Sequence, residues 1–269
     1  MSTTRPRRFP YFARKLAPLL MVYLVYSITI LRFELQYLGH DLTVSEDFQA
    51  VSSLFLGSLL ALRMNTAHSK WLEARLQFGR LVSGSRVVAT YIAGLPGLPA
   101  EEKAWAAEWI VCYPRALTAQ LRTPSSPHAP SLLSAAFQAR LVSWREKGWL
   151  DGWSWSSLAR LGEDSLMIAG ACERIRNSPL VRSYHIMVML SITLYLAAAP
   201  LVLHNRVWTL PLVMAFAVFF FTLELLAADV DEPFGEGPDD LPLEMLCGSV
   251  QSTVEQIFSS DDTSTIPAR

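Results

Sequence analysis

Five histidines (His40, His68, His128, His185 and His204) and three cysteines (Cys112, Cys172 and Cys247) are the side chains here best suited to metal binding or nucleophilic attack. Their spacing serves neither. The histidines are isolated, and three widely separated cysteines have no metal-type spacing and read as small buried apolar residues, not as a disulfide framework. GxxxxGKS, GxxxxGKT, HExxH, GxSxG and GxGxxG are all absent, so phosphate-cradling, zinc-peptidase, serine-hydrolase and dinucleotide chemistry lack their scaffolds, and no enzyme is expected. Carboxylates offer more. Glu224 closes an apolar run, where it reads as an ion ligand, or as a group at the membrane interface or bonded within a helix bundle. The stretch DEPFGEGPDDLPLE at 231–244 gathers acids among helix breakers. Its oxygens suit a hard cation such as calcium, or they form an acidic turn in which Asp239 or Asp240 caps the last helix.

The elements that must position these groups are apolar helices. Of 269 residues, 51% are hydrophobic and only 17% charged, which is high for a soluble domain and low for a chain that is nearly all membrane. A multi-span protein with a sizeable watery portion fits. A net charge of −1 gives no reason to expect nucleic acid as a partner.

The segment 46–93 organises the rest. Phe48 to Leu62, FQAVSSLFLGSLLAL, carries no charge and no proline. About fifteen residues at a rise near 1.5 Å cover roughly 22 Å, short for a full bilayer core but workable in a packed bundle. No breaker follows until Pro96. Past Leu62, the positions Trp71, Ala74, Phe78, Leu81, Ser85, Val88 and Ile92 alternate steps of three and four, the seam of a helix buried on one side. Lys70, Arg75, Arg80 and Arg86 are interspersed, as in a helix surrounded by water. The spacing predicts one helix that starts in the membrane and ends outside it.

Around it, residues 1–15 carry Arg5, Arg7, Arg8, Arg14 and Lys15 without an acid and form a cytoplasmic segment, kept as mature sequence because no small-residue cleavage site follows. A first span covers 16–36. The acidic loop Tyr37 to Asp47 faces outward by the positive-inside rule. Residues 94–178 form a cytoplasmic helical region: GLPGLP at 94–99 ends the long helix, Gly148 stops another, and WLDGWSW at 149–155 reads as a turn. Trp149, Trp153 and Trp155 there read as core packing or as an aromatic site. Residues 180–203 and 207–228 are a third and a fourth span joined by a tight hairpin, and Pro200 and Pro211 kink them or begin a half-helix. A cytoplasmic C-terminal segment and helix fill 229–269. The expected fold is an all-α membrane protein with four transmembrane helices and both termini in the cytoplasm; the short tail and the lack of a transit peptide favour a prokaryotic plasma membrane.

Four segments, in matching order, resemble the bestrophin family in its compact prokaryotic form. LRMNTAHSKWLEARLQFGRLVSGSR at 62–86 is similar to the family's R-x-N-x-A-Y-x-R-W-W-E-A-R pattern, with His68, Lys70 and Leu72 departing from it. CERIRNSPLVRSY at 172–184 resembles ERIRNTPIPFSY, and DEPFG at 231–235 with DDLPLE at 239–244 matches the PFG and DLPL signature behind the fourth span.

The resemblance implies a homopentameric channel for monovalent ions, chloride or Na+/K+, around one central pore in a lipid bilayer. It implies a narrow neck on the second helix, at positions that fall on Leu54, Ser58 and Leu62. The i, i+4, i+8 spacing independently puts these on one helical face, which is also the spacing of ordinary bundle packing. Ser58 replaces the family's bulky apolar residue and wets a ring that otherwise gates by excluding water. A cytoplasmic constriction is implied at Leu180, although Val181 replaces the second proline of that motif. Eukaryotic members open on calcium bound just after PFG. Here the corresponding residues Glu236, Asp239 and Asp240 are fewer and interrupted by Gly237 and Pro238, so the expectation is no cofactor, with calcium the single candidate. Such a neck offers no fixed charge, so the mouths and vestibules set the ion's sign, and the acidic outer residues Asp41, Glu46 and Asp47 lean it toward cations. Two alternatives stand beside the channel: a secondary transporter, which the lack of internal repeats disfavours, and a non-conducting membrane scaffold.

Overall fold

The computed structural model describes residues 8–33, 46–123, 129–178, 182–202, 210–237 and 239–259. They form eight α-helices: α1 (Arg8–Phe33), α2 (Glu46–Ala93), α3 (Ala100–Arg122), α4 (Ala129–Glu146), α5 (Gly152–Asn177), α6 (Arg182–Val202), α7 (Leu210–Val230) and α8 (Leu243–Ser259). No strand occurs among the described residues. The chain forms two compact units, Met1–Trp71 with Pro179–Asp240, and Leu72–Ser178 with Leu241–Arg269. α2 contributes to both.

The first unit packs α1, the first half of α2, α6 and α7. Val188, Ile192, Tyr195, Leu196 and Ala199 of α6 step by three and four, as do Val213, Ala217 and Phe220 of α7; they meet Tyr23 of α1 and Leu56 and Leu60 of α2 in one cluster. The outward faces are apolar as well. Met21, Val22, Leu54, Phe55, Ile186, Leu190, Leu194, Leu212 and Phe219 are all exposed. Helices hydrophobic on every side belong in a lipid solvent. The stretches Gln49–Ala93 and Leu210–Val230 are long and apolar enough to cross a membrane, and α6 carries a shorter apolar stretch, Tyr184–Pro200.

Pro200 lies inside α6, where it has no N–H to give the carbonyl of Leu196. Tyr23 Oη of α1 donates to that oxygen at 3.0 Å, and Tyr26 Oη donates to the neighbouring Ala197 oxygen at 2.9 Å. A proline in an apolar helix is thus satisfied by two tyrosines of another helix. Pro211 sits in the first turn of α7, where a missing N–H costs nothing.

The second unit holds the rest of α2 with α3, α4, α5 and α8. The seam read from the sequence is buried: Ala74, Phe78, Leu81, Ser85, Val88 and Ile92 are all sealed, with Trp71, in the first unit, half-buried. Trp109 stacks on Phe137 with centroids 4.1 Å apart. Glu102, in the first turn of α3, accepts from Trp144 Nε1 at 2.9 Å and Arg140 Nε at 2.6 Å. Burial works to raise its pKa, but these two donors and the positive charge of Arg140 hold it below the usual carboxylate range. Gly148 takes φ +74° to close α4, and Trp149 N–H returns to the Trp144 carbonyl at 3.0 Å.

WLDGWSW is not simply a turn. Asp151 accepts from Ser154 N–H at 3.1 Å and caps α5, which begins at Gly152 and takes Trp153 and Trp155 into its first turn. The tryptophans do not form one aromatic site. Trp149 lies under Lys147, Trp155 under Arg145, and Trp153 is exposed beside Tyr91.

Candidate functional site

On α2 the helical pitch sorts residues onto two faces. Leu56, Leu59, Leu60, Arg63 and Ala67 turn inward. Leu54 (74% exposed), Ser58 and Leu62 (59% exposed) turn outward along one stripe. Below them Asn65, Thr66 and Ser69 continue the exposed face. The hydroxyls of Ser58, Thr66 and Ser69 each donate to the carbonyl four residues back, at 2.9, 2.9 and 2.8 Å. Their oxygen lone pairs stay directed outward, so the face stays wettable without presenting a charge. From 50 to 72, the exposed positions of α2 include no Asp, Glu, Lys or Arg.

The charges of that segment point the other way. Arg63 is 3% exposed and its Nε lies 3.6 Å from Oε1 of Glu224, itself 1% exposed on the inward seam of α7. Its Nη1 is 3.9 Å from Asp231 Oδ2, and Lys70 Nζ reaches Asp231 Oδ1 at 3.3 Å. His185 Nδ1 on α6 approaches Glu224 Oε1 at 2.9 Å, and Lys15 on α1 bonds Asp229 at 3.2 Å. Two cations and two acids, each pair seven residues apart, tie two helical turns of α2 to α7 and to the turn that follows it. Glu224 is therefore bonded within the bundle and does not face the outward stripe.

The acidic turn is built on its own backbone. Asp240 turns its carboxylate back to accept the N–H of Gly237, so it does not cap α8, which begins at Leu243. A Cβ at Gly235 would stand 2.5 Å from Asp240 Oδ2, and one at Gly237 2.9 Å, so a side chain at either position would push the Asp240 carboxylate aside. Trp71 Nε1 donates to the Asp239 carbonyl at 3.0 Å. Burial raises the pKa of Asp240; the Gly237 N–H opposes this, while Asp229, Glu232 and Asp239 add to it. Glu236 is exposed, and Asp239 is half-buried. Among the described residues no three of His, Cys, Asp and Glu gather in a way that could hold a metal ion. Leu180, Asp41 and Pro238 lie outside the described residues. The three cysteines are free thiols, Cys172 and Cys247 buried and Cys112 half-buried.

The charge cluster is the part that sequence reasoning missed as a unit. Its signal was the seven-residue spacing shared by Arg63 and Lys70 on α2 and by Glu224 on α7 and Asp231 just past its end.

Two matched segments, residues 12–126 and 122–256, fit the family model described as bacterial/fungal bestrophin protein. A voltage-dependent anion channel-forming protein of Synechocystis is 23% identical over 245 residues, covering 82% of this chain and 80% of that protein. One of the same name from Mesorhizobium japonicum is 27% identical, covering 94% of this chain and 88% of that protein. The crystal structure of a bacterial bestrophin homologue from Klebsiella pneumoniae superposes with a TM-score of 0.81 at 19% identity, over 90% of this chain and 97% of that one. At that identity the likeness establishes the all-helical fold, and the family model spans nearly the whole chain. The chain belongs to the bacterial and fungal bestrophin family.

Proposed function

We propose that the protein is an ion channel, not an enzyme, and that it conducts monovalent ions through a path lined by α2 from five copies around a central axis. The neck is formed by Leu54, Ser58 and Leu62, and a second constriction lies at Leu180. α1, the first part of α2, α6 and α7 cross the bilayer of a prokaryotic plasma membrane, with both termini on the cytoplasmic side. One observation carries this reading. The outward face of α2 is uncharged over residues 50 to 72, whereas Arg63 and Lys70 of the same segment are turned into the bundle and neutralised there. Hidden cations alone would suit lipid equally well; what favours water-borne ions is that the same uncharged face carries Ser58, Asn65, Thr66 and Ser69 beside its leucines.

Two apolar rings with a serine ring between them conduct when wide enough to wet, and a few ångström of helix displacement closes them. Carrying no charge, the neck leaves the sign of the ion to the mouths. The curated relatives bear the name of anion channels, while Asp41, Glu46 and Asp47 favour cations at the outer end. Reversal potentials under a salt gradient read the sign directly.

The test is reconstitution of the purified protein into planar bilayers. Discrete single-channel steps are expected. Leu62→Ala widens a ring and raises conductance, and Ser58→Ala dries the middle ring and lowers it. Saturable slow uptake without steps would instead make the protein a carrier, and if both variants match the parent the neck lies elsewhere.

A further inference from the structure

We propose that His185 and Glu224 form a proton-binding site behind the neck, a latch whose protonation sets how firmly Arg63 holds that part of α2; the inference rests on the conduction path proposed above. Glu224 Oε1 is approached from two helices at once, by His185 Nδ1 of α6 at 2.9 Å and by Arg63 Nε of α2 at 3.6 Å. Both Glu224 oxygens and the Nε and Nη1 atoms of Arg63 are sealed from solvent without a hydrogen bond. The carboxylate is thus a buried charge that Arg63 and His185 approach from two sides without either satisfying it. The His185 side chain is 43% exposed, so water reaches its ring while Nδ1 lies 2.9 Å from a buried carboxylate.

The charges facing this pair decide what a proton does. α2 supplies Arg63 and Lys70, α7 supplies Glu224 and Asp229, the turn after it supplies Asp231, α1 supplies Lys15 paired with Asp229, and α6 adds Tyr184, whose hydroxyl donates to the Leu59 carbonyl at 3.2 Å. With His185 neutral, Lys15, Arg63 and Lys70 balance Asp229, Asp231 and Glu224. A proton on His185 upsets this balance and turns the 2.9 Å contact with the carboxylate into an ion pair. Arg63, already beyond hydrogen-bond distance at 3.6 Å, loses its share of the carboxylate. Arginine does not titrate, and histidine is the side chain whose ordinary range falls between pH 5 and 8. Arg63 follows Leu62 directly, so the loosened hold is felt at the proposed neck.

Two readouts test the site. In bilayers with symmetric salt, the parent's conductance should change roughly fivefold between pH 7.5 and 5.5, the consequence of about 1 kcal/mol. His185→Gln and Glu224→Gln should each abolish that response, whereas His68→Gln, an exposed ring stacked on Trp71 outside the cluster, should keep it. A pH-flat parent, or a His185→Gln channel with the parent's response, overturns the proposal. The second readout needs no conduction. Hydrogen–deuterium exchange of the peptide 55–70, compared between parent and His185→Gln at the same acidic pD, should be faster in the parent, and equal rates overturn the latch. Silence at every pH counts against the channel reading alone, and the exchange result then decides the proton site.

Discussion

Replacing Arg63 by Met keeps a flexible stem of similar length and removes the charge, which isolates the electrostatic role of the pair behind α2. At the 3.6 Å separation from Glu224 and an effective dielectric near 20, the attraction is about 4–5 kcal/mol before the cost of desolvation. Desolvation offsets much of it in the intact pair, but removing one partner leaves Glu224, 1% exposed, with His185 as its remaining partner. The expected loss is therefore about 3–5 kcal/mol. Glu224→Gln is milder, because Arg63 keeps Asp231 at 3.9 Å. The double variant buries neither charge, so its loss should fall short of the summed single losses by about 1–3 kcal/mol. In detergent, a thermal ramp followed by tryptophan fluorescence should place Arg63→Met roughly 8–16 °C below the parent. A shift under about 2 °C, or a double variant whose loss equals the sum, would refute the reasoning, since both mean that the two charges do not act on each other.

Two further outcomes follow from packing and from proton linkage. A Cβ at Gly162 of α5 would stand 3.0 Å from Phe137 Cδ1 and 3.1 Å from Gln138 Nε2, and Phe137 is fully buried and stacked on Trp109, so it has nowhere to go. Gly162→Leu should cost about 1–3 kcal/mol, whereas Gly162→Ala stays near the parent because a helix-propensity gain of about 1 kcal/mol offsets the crowding; thermal unfolding of the two variants checks both. The raised pKa of Asp240 means that the folded state binds its proton more readily than the unfolded chain, so the ionised group weakens the fold and the penalty shrinks as pH falls. Asp240→Asn keeps an oxygen for the Gly237 N–H and should raise the melting temperature at neutral pH, with the gain fading on acidification. A gain that grows in acid contradicts the assignment.

The helical class was legible because its determinants are local. The seam from Ala74 to Ile92 is a periodicity within one helix, and burial follows it position by position. Breakers such as Gly148 punctuate the chain where a positive φ is needed. WLDGWSW misled for a local reason too: a tryptophan-dense run with a glycine resembles a turn, but Asp151 three residues ahead of Ser154 is a capping geometry, and it starts a helix. What could not be read is what connects distant segments. Lys70 and Asp231 are 161 residues apart, and nothing in either neighbourhood names the other. The same holds for Tyr23 and the carbonyl that Pro200 leaves unpaired.

The hidden cations also explain why charge was a poor guide to the path itself. Counted along the sequence, Arg63 and Lys70 make the inner end of the neck segment positive, which would favour anions beside it. Placed in the bundle, they face Glu224 and Asp231 across 3.3 to 3.9 Å. Their fields largely cancel within the bundle over distances shorter than the Debye length of physiological salt, about 8 Å. From 50 to 72 the exposed face of α2 is left with apolar side chains, asparagine, hydroxyl groups and His68, so ions passing it would be sorted by the width and wetness of the rings more than by a fixed Asp, Glu, Lys or Arg charge. Removing an acid on α7 should then do what removing a cation on α2 does not: Glu224→Gln exposes the field of Arg63 to the proposed neck and shifts the reversal potential toward that of anions, while Arg63→Met, which leaves Glu224 beside His185, shifts it the other way or not at all.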